Sequence, residues 1–440
     1  MTLDMTHTAL GLSALATFIV AYICVMGEEF FLMKKSEPVV FAAGILWVLV
    51  AIAARSKGMG VAASEAVLHN HLEFSELFLF LFVAMIYVST MEERKVFLAL
   101  KAWIVKHRFS YRTLFWITGF LAFFISPLAD NMTTALIMCA IVMALGEGKK
   151  QFIALSCINI VVAANAGGAF SPFGDITTLM VWQKEILPFM DFFKLFLPSL
   201  VNFVVPAAIM HFSIPKGVPH SIEEKVFIEP GGLMVVLLFL LTILGAVCLH
   251  HFFNLPPTVG MMTGFAFLQI FGFILRRRYL KIENKHPFDI FQLTRNIEWD
   301  TLLFFYGVIL CVGALASLGY LALLSDTLYG TWGKGLSAMH QQTPANVVIG
   351  LLSAIVDNIP LMFAVLTMQP KMSEGQWLLV TLTAGVGGSL LSIGSAAGVA
   401  LMGQSKGQYT FLSHFKWSWA ILLGYAASIV CHFVINRATF

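Results

Sequence analysis

The chain has 440 residues, of which 59% are hydrophobic and only 12% are charged, and its formal net charge at pH 7 is +3. Soluble domains carry roughly 25% charged residues, so this composition excludes an ordinary soluble protein. The apolar segments exceed the ~20 residues that a spanning helix needs, and the short alternating segments of a membrane β-barrel are missing from the sequence. We therefore expect an all-α integral membrane protein.

The hydropathy pattern predicts about ten transmembrane helices. They cover residues 8–26, 38–54, 74–90, 151–189, 192–212, 231–250, 257–275, 298–322, 376–404 and 417–436. The first of them lacks the basic flank and the cleavage site of a signal peptide, so we expect it to be retained. The six cysteines lie singly in apolar segments without CxxC spacing. That spacing favours reduced core residues over disulfides or metal ligands.

Two further apolar stretches do not fit simple spans. Residues 111–146 are too many for one helix and are interrupted at residues 126–130 (SPLAD). Residues 343–370 are interrupted at residues 357–360 (DNIP). Irregular backbone at bilayer depth is tolerated only when it is buried in protein or lines a cavity. Both stretches are therefore predicted to be re-entrant helical hairpins, which enter the membrane and return on the same side.

Each predicted hairpin carries an Asp-Asn pair at its interruption. The pairs are Asp130 with Asn131 and Asp357 with Asn358. A carboxylate at bilayer depth costs at least ~2.5–3.5 kcal/mol, so such groups face a cavity or a polar partner and are candidates for function. The recurrence of the pair in each half of the chain indicates one site built twice.

The basic residues define an expected topology. With residues 92–112 in the cytoplasm and both hairpins returning to their own side, most of the 27 Lys and Arg residues lie inside, as the positive-inside rule requires. Both termini then lie outside. Residues 91–112 are predicted to form an amphipathic helix on the inner surface. The basic tract at 276–281 is expected to anchor on anionic lipid.

The two halves of the chain share three landmarks in the same order and at nearly constant spacing. The matching segments are 76–83 with 300–307, 130–131 with 357–358, and 165–175 with 385–395. The number of crossings between equivalent spans is odd, which predicts two inverted repeats, an arrangement common in transporters. The alternative is that glycine-rich membrane helices resemble one another in any case.

The repeats give the expected domain organisation. Residues 1–73 form N-terminal spans, and residues 74–212 form the first repeat with hairpin 111–146 and broken helix 151–189. Residues 213–297 contain connecting spans and a basic cytoplasmic loop. The second repeat covers residues 298–440, with hairpin 343–370 and broken helix 376–404.

The third landmark predicts where an ion would bind. Gly167, Gly168, Pro172 and Gly174 cannot continue a regular helix, so the first repeat should unwind near 167–176 and its mate near 387–395. Each break exposes backbone carbonyls and a half-helix N-terminus, both of which can contact ions. The alternative for isolated small residues such as Ser389 is that they serve only helix packing.

These motifs resemble a known family. A polar hairpin tip followed by a broken helix containing Gly-Gly, both occurring twice, is similar to the ion-transporter superfamily. Within it, SPLADNMTTALIM, NAGGAFSPFGDITTLMVW and SAIVDNIPLMFAV closely resemble the NhaD-type sodium/proton antiporters. The resemblance implies ion-binding or transport roles for twelve residues. They are Ser126, Asp130, Asn131, Asn165, Asp175, Thr177, Thr178, Ser353, Asp357, Asn358, Ser392 and Ser395.

The departures from the anion-carrying relatives favour a cation as substrate. Those relatives have Ser-Asn-Thr at both hairpin tips and Thr-Pro-Pro-Asn after the first break, where this chain has carboxylates at 130, 357 and 175. Three carboxylates in a cavity repel an anion and attract a cation or a proton. Oxygen ligands suit Na⁺ or Li⁺, and no His/Cys cluster would select a transition metal.

The expected function is therefore secondary-active exchange of cytoplasmic Na⁺ or Li⁺ for external protons. Alternating access to one site, at which the two ions compete for buried carboxylates, is sufficient for antiport. No ATP-binding motif is present, and no cofactor is expected beyond the transported ions. The expected location is the plasma membrane, a bacterial inner membrane, with lipid as the surroundings and no nucleic-acid partner. A homodimer is left open.

Three alternatives accompany this interpretation. His69 and Glu76, near His71 and Glu73 at the start of the third predicted span, could serve proton entry or pH sensing, or could mark a solvated helix end. A sodium-coupled anion or arsenite carrier of the same fold is the rival function. An intramembrane enzyme is disfavoured because no nucleophile–base pair or metal triad is present in the sequence, so we expect no enzymatic activity.

Overall fold

The computed structural model describes residues 3–146, 148–219, 226–279 and 290–440, and every regular segment within them is helical. The helices are α1 (Ala9–Met26), α2 (Glu28–Phe31), α3 (Ser36–Ser56), α4 (Gly60–Glu93), α5 (Val96–Lys106), α6 (Tyr111–Ala129), α7 (Asn131–Leu145), α8 (Lys150–Gly168), α9 (Ile176–Gln183), α10 (Phe196–His211), α11 (Gly232–Phe253), α12 (Pro257–Tyr279), α13 (Ile290–Leu293), α14 (Trp299–Leu318), α15 (Tyr320–Ser325), α16 (Thr343–Leu352), α17 (Asn358–Met368), α18 (Glu374–Gly387), α19 (Ala396–Gln404), α20 (Phe411–Phe415) and α21 (Ser418–Ile435). Most of the basic tract at 276–281 falls on α12, and its last residues lie outside the described part.

Ten of the helical segments in the described ranges are long and apolar enough to cross a membrane, which confirms an all-α integral membrane protein. They are α1, α3, α4, α6, α8, α10 with the 3₁₀ turn before it, α11, α12, α14 and α21. The number agrees with the prediction but the membership differs. The first hairpin arm, α6, is itself long enough, whereas the predicted span at 376–404 consists of α18 and α19, with 14 and 9 residues.

The third span is longer than predicted. Residues 74–90 belong to α4, which has 34 residues and is about 51 Å long at ~1.5 Å per residue. His69 and Glu76 therefore lie inside a helix, and their predicted position at its start is wrong. Polar residues lower the hydropathy of the first turns, but nothing among them stops a helix.

The chain forms two compact units. The first contains Met1–Ile104 and Glu223–Leu318, and in it α14 packs against α3 and α4. The second contains Val105–Ile222 and Gly319–Phe440, and it holds both hairpins and both broken helices. Compactness does not test a division by sequence repeat, because the first repeat contributes to both units. The repeat boundaries stay a prediction.

The first hairpin is confirmed within the second unit. Asp130 alone separates α6 from α7, and the two helices pack against each other. The ring of Tyr111, where the hairpin begins, lies 4.7 Å from the ring of Phe152, which follows its end. The segment therefore returns to the place where it started.

The second hairpin returns in the same way. Residues 353–357 separate α16 from α17. Gln376, at the start of α18, donates from Nε2 to Thr343 Oγ1 at the start of α16, over 2.8 Å. Gln342 donates to the carbonyl of Lys371, just beyond α17, over 3.3 Å. Both ends of the hairpin therefore lie together.

Helix α10 shows that the two hairpins are inverted. Gln151, beside the open end of the first hairpin, donates to the carbonyl of Ser213 just after α10, over 2.9 Å. Lys194, just before α10, pairs with Glu374 beside the open end of the second hairpin, at 2.5 Å. The 16 residues of α10 rise about 24 Å. The hairpins thus open at opposite ends of one helix, as inverted repeats require.

This arrangement gives a labelling prediction. In a variant without native cysteines, single cysteines at the exposed positions Arg108 and Lys149 should both react with a membrane-impermeant maleimide from the cytoplasmic side. A cysteine at exposed Lys371, which lies at the other end of the unit, should react only from outside and serves as the control. Labelling of positions 108 and 149 from opposite sides would contradict the hairpin.

Candidate functional site

Glycines bring each hairpin backbone against its broken helix. A Cβ on Gly167 would lie 2.2 Å from the carbonyl oxygen of Phe123 in α6. At the equivalent position of the second half, a Cβ on Gly387 would lie 1.9 Å from the carbonyl oxygen of Gly350 in α16. Any side chain at either glycine would push the hairpin away. The same close approach in both halves supports their equivalence as repeats.

Two predicted serines make matching hydrogen bonds next to these contacts. Ser126 donates to the carbonyl of Ala164 over 2.7 Å, and Ser353 donates to the carbonyl of Ala384 over 2.9 Å. Both serines are fully buried. Each therefore fixes its hairpin to the helix half that precedes the break. Ser126 also donates to Asn131 Oδ1 over 2.6 Å, which orients that amide.

The carboxylate of Asp175 joins the two hairpin tips. It caps α9 by accepting from the backbone N–H and hydroxyl of Thr177, over 2.9 and 3.0 Å. Its Oδ2 accepts from Nδ2 of Asn131 over 2.7 Å and from Nδ2 of Asn358 over 3.0 Å. Asp175 is 7% exposed. One buried carboxylate thus contacts an amide from the tip of each hairpin.

A second link between the halves starts from Asn165. Its Nδ2 donates to Ser395 Oγ over 3.1 Å, and its Oδ1 accepts from Asn131 over 3.3 Å. Ser395 caps α19 by accepting from the N–H of Gly398 over 3.2 Å. The cap of each resuming half-helix is therefore hydrogen-bonded by an asparagine from the other repeat.

Asp130 and Asp357 occupy the matching caps of α7 and α17. Asp130 accepts from the N–H and the hydroxyl of Thr133, both over 2.8 Å. Its φ of 54° is a conformation that costs non-glycine residues of order 1–3 kcal/mol and recurs at functional sites. The negative charge of Asp357 acts electrostatically on Asp175. Both carboxylates are half-buried at the rim of the network.

Thr133 was not predicted, although the spacing Asp130-x-x-Thr133 is that of a helix N-cap and the residue that its side chain bonds. Two more predicted residues, Thr178 and Ser392, make hydrogen bonds that do not join the predicted side chains to one another. Thr178 donates to the carbonyls of Ser171 and Asp175 and so fixes the shape of the first break. The hydroxyl of Ser392 points to Met402, with Oγ and Sδ 3.4 Å apart.

The residues that the structure brings together carry carboxylate, hydroxyl or amide groups, each of which offers an oxygen atom as a ligand. They are Ser126, Asn131, Asn165, Asp175, Thr177, Asn358 and Ser395. Hard oxygen ligands suit alkali cations better than transition metals. Within the described ranges, no group of three or more His, Cys, Asp or Glu residues could hold a metal ion. All six cysteines are free thiols; Cys139, Cys157 and Cys311 are buried and the other three are half-buried.

His69 and Glu76 belong to α4 in the first unit, which does not contain this network. His69 is paired with Glu73, at 2.8 Å between Nε2 and Oε1, and its side chain is 66% exposed. Glu76 is half-buried. A role of either residue in proton entry or pH sensing stays a prediction.

Comparison with known proteins identifies a family that the chain matches. The profile of the citrate transporter family matches residues 3–385. The chain is 54% identical to the Na⁺/H⁺ antiporter NhaD of Vibrio cholerae, over all of this chain and 94% of that protein. It is 52% identical to NhaD of Alkalimonas amylolytica, over all of this chain and 93% of that protein.

A more distant relative is also named as a sodium/proton antiporter. Sodium/proton antiporter 1 of Arabidopsis thaliana is 32% identical over 96% of this chain and 72% of its own length. The relatives and the matching family are transporters, which confirms that the chain is not an enzyme.

Proposed function

The chain belongs to the citrate transporter family and, among its members, to the NhaD-type sodium/proton antiporters, and on that premise we propose that it exchanges cytoplasmic Na⁺ or Li⁺ for external protons. We place it in a bacterial inner membrane, in keeping with its bacterial relatives. It needs no cofactor, because the ion gradient supplies the driving force and the transported ions are the only ligands.

The observation that carries this proposal is the shared carboxylate of Asp175. It is buried and accepts hydrogen bonds from Asn131 of the first hairpin and Asn358 of the second. An ionised carboxylate so far from water needs a compensating cation or a proton. The nearby negative charge of Asp357 increases that need. A proton on the carboxylate removes the charge that holds Na⁺, so the two ions compete.

The opposite orientation of the hairpins supplies alternating access. Each hairpin tip contacts the same carboxylate, and the hairpins open at opposite ends of α10. Withdrawal of Asn131 would open the site toward one side, and withdrawal of Asn358 toward the other. With both asparagines in place, as here, the carboxylate is enclosed. Asp130 and Asp357 would draw cations to the two tips as each opens.

A transport assay tests the proposal. In inverted membrane vesicles that have built a pH gradient, Na⁺ and Li⁺ should dissipate the gradient at neutral and alkaline pH, whereas K⁺ should not. Vesicles from cells that lack the protein provide the baseline. Dissipation by K⁺ equal to that by Na⁺, or no response to any of the three, would contradict the proposal.

The name of the matching family favours an anion carrier as the second candidate. The carboxylates at 130, 175 and 357 oppose it, because they would repel citrate or any other anion. The same vesicles should therefore take up neither citrate nor arsenite, with or without Na⁺. Sodium-dependent uptake of either compound would establish the second candidate in place of the first.

A further inference from the structure

The two breaks are stabilised differently. In the first, the hydroxyl of Thr178 on the resuming half-helix bonds the carbonyl of Ser171 within the unwound segment, over 2.8 Å. The repeat equivalents of Thr177 and Thr178 are Ala397 and Gly398, which have no hydroxyl. The second break therefore lacks an equivalent of this hydroxyl bond.

A neighbouring stretch of chain bonds other carbonyls of the second break. We call residues 405–418 the return segment, since it contains α20 and leads from α19 to α21. His414 bonds the carbonyl of Ser389 from Nε2 over 2.9 Å. Ser418 donates to the carbonyl of Leu390 over 2.6 Å. Two carbonyls that the break exposes are thus bonded by the return segment.

The histidine is fixed from its other side. A carbonyl only accepts, so Nε2 of His414 carries the proton and, in the neutral ring, Nδ1 accepts. Tyr409 supplies that donor, with its hydroxyl 2.7 Å from Nδ1. Ser405 bonds both backbone groups of Tyr409, each over 3.1 Å. His414 and Tyr409 are 0% and 1% exposed, so water does not compete for these bonds.

The bonded carbonyls lie close to the predicted ion-site residues in the sequence. Ser389 and Leu390 directly precede the segment that contains Ser392 and Ser395. Ser395 in turn caps α19 and receives the amide of Asn165. The return segment therefore contacts the backbone of the second break at Ser389 and Leu390, a few residues before Ser395, which joins the network.

We propose that His414 is a positioning residue for ion binding, which acts with Tyr409 to hold the second break in its binding shape. This inference rests on the proposed Na⁺/H⁺ exchange. A binding segment that is held in place before the ion arrives loses less conformational freedom on binding. Loss of the hydrogen bonds of His414 and Tyr409 should therefore weaken the apparent affinity for Na⁺ more than it lowers the maximal rate.

The test compares three variants of the His414–Tyr409 pair and one control variant in vesicles, with rates normalised to the amount of protein in the membrane. His414→Phe removes both ring hydrogen bonds, and Tyr409→Phe removes only the hydroxyl. Tyr409→Phe should raise the half-saturating Na⁺ concentration about fivefold, since one hydrogen bond contributes about 1 kcal/mol, and His414→Phe should raise it at least as much. His414→Gln retains a donor for Ser389 and should recover most of the affinity. His107→Phe, an exposed histidine of the same unit, is the matched control.

Two outcomes would overturn the inference. One is that His414→Phe and Tyr409→Phe both have the half-saturating Na⁺ concentration of the unmodified protein, even if less protein reaches the membrane. The other is equal impairment of His414→Gln and His414→Phe. If His414→Phe fails to reach the membrane, Tyr409→Phe decides alone. Failure of the unmodified protein to respond to Na⁺ would instead refute the proposed exchange.

Discussion

Replacing Asp175 by Asn should lower Na⁺-dependent exchange at subsaturating Na⁺ by roughly thirtyfold or more. Hydrogen bonds to a charged group contribute about 2 kcal/mol each, and this carboxylate accepts from both Asn131 and Asn358. The substitution keeps the volume of the side chain but removes the charge that Na⁺ and H⁺ share. The dissipation of a pH gradient in vesicles, measured over a range of Na⁺ concentrations, gives the size of the effect.

The competing explanation is that Asp175 only caps α9. Asn caps helices about as well as Asp, whereas Ala does not. Unchanged exchange in Asp175→Asn together with damage in Asp175→Ala would therefore establish the cap and contradict the ion-binding role. Asp326→Asn makes the same chemical change at an exposed position of the same unit and should have no effect.

Asp357→Asn and Asp130→Asn should each reduce exchange at least tenfold, which corresponds to a loss of ~1.4 kcal/mol or more. Asp130 caps the second arm of its hairpin through the side chain, and Asn can replace it there without loss of the cap. Asp357 stands at the N-cap position of α17 without a side-chain capping bond, so its replacement by Asn removes no cap. A loss of exchange with normal amounts of protein in the membrane would thus isolate the charge as the cause.

The two substitutions test different roles, because Asp357 and Asp130 have different interactions. Asp357 acts electrostatically on Asp175, whereas the contacts of Asp130 include the N–H and hydroxyl of Thr133. Thr133→Ala removes one bond to Asp130 without changing any charge and should have a smaller effect than Asp130→Asn. Exchange at the unmodified rate in either Asn variant would show that the carboxylate concerned is structural.

Much of the architecture could be predicted from sequence because its signals are local. An Asp-Asn pair inside an apolar run predicts an interruption of the helix, and the helices break at Asp130 and at residues 353–357. The proline of the first predicted interruption, Pro127, lies inside α6 and does not end it. The paired glycines of the breaks carry the same kind of information. A Cβ at Gly167 or Gly387 collides with a backbone carbonyl, so the residue type itself reports the close approach.

Other features depend on contacts that no local pattern records. The bond from Asn165 to Ser395 joins residues far apart in the chain, and its existence follows only from the packing of the two broken helices. Ser392 matched the family pattern, yet its hydroxyl points to Met402 in this arrangement. The length of α4 was underestimated because hydropathy measures burial in lipid, whereas helix continuation depends on backbone propensity.

Competition between Na⁺ and H⁺ at the Asp175 network is the central claim, and the pH dependence of the half-saturating Na⁺ concentration tests it most directly. If one proton and one Na⁺ exclude each other, that concentration should rise about tenfold for each unit of decrease in pH on the acid side, while the maximal rate stays constant. In Asp175→Asn this dependence should disappear. A half-saturating concentration that is independent of pH in the unmodified protein, with only the maximal rate changing, would show that the two ions bind at separate sites and would contradict the account.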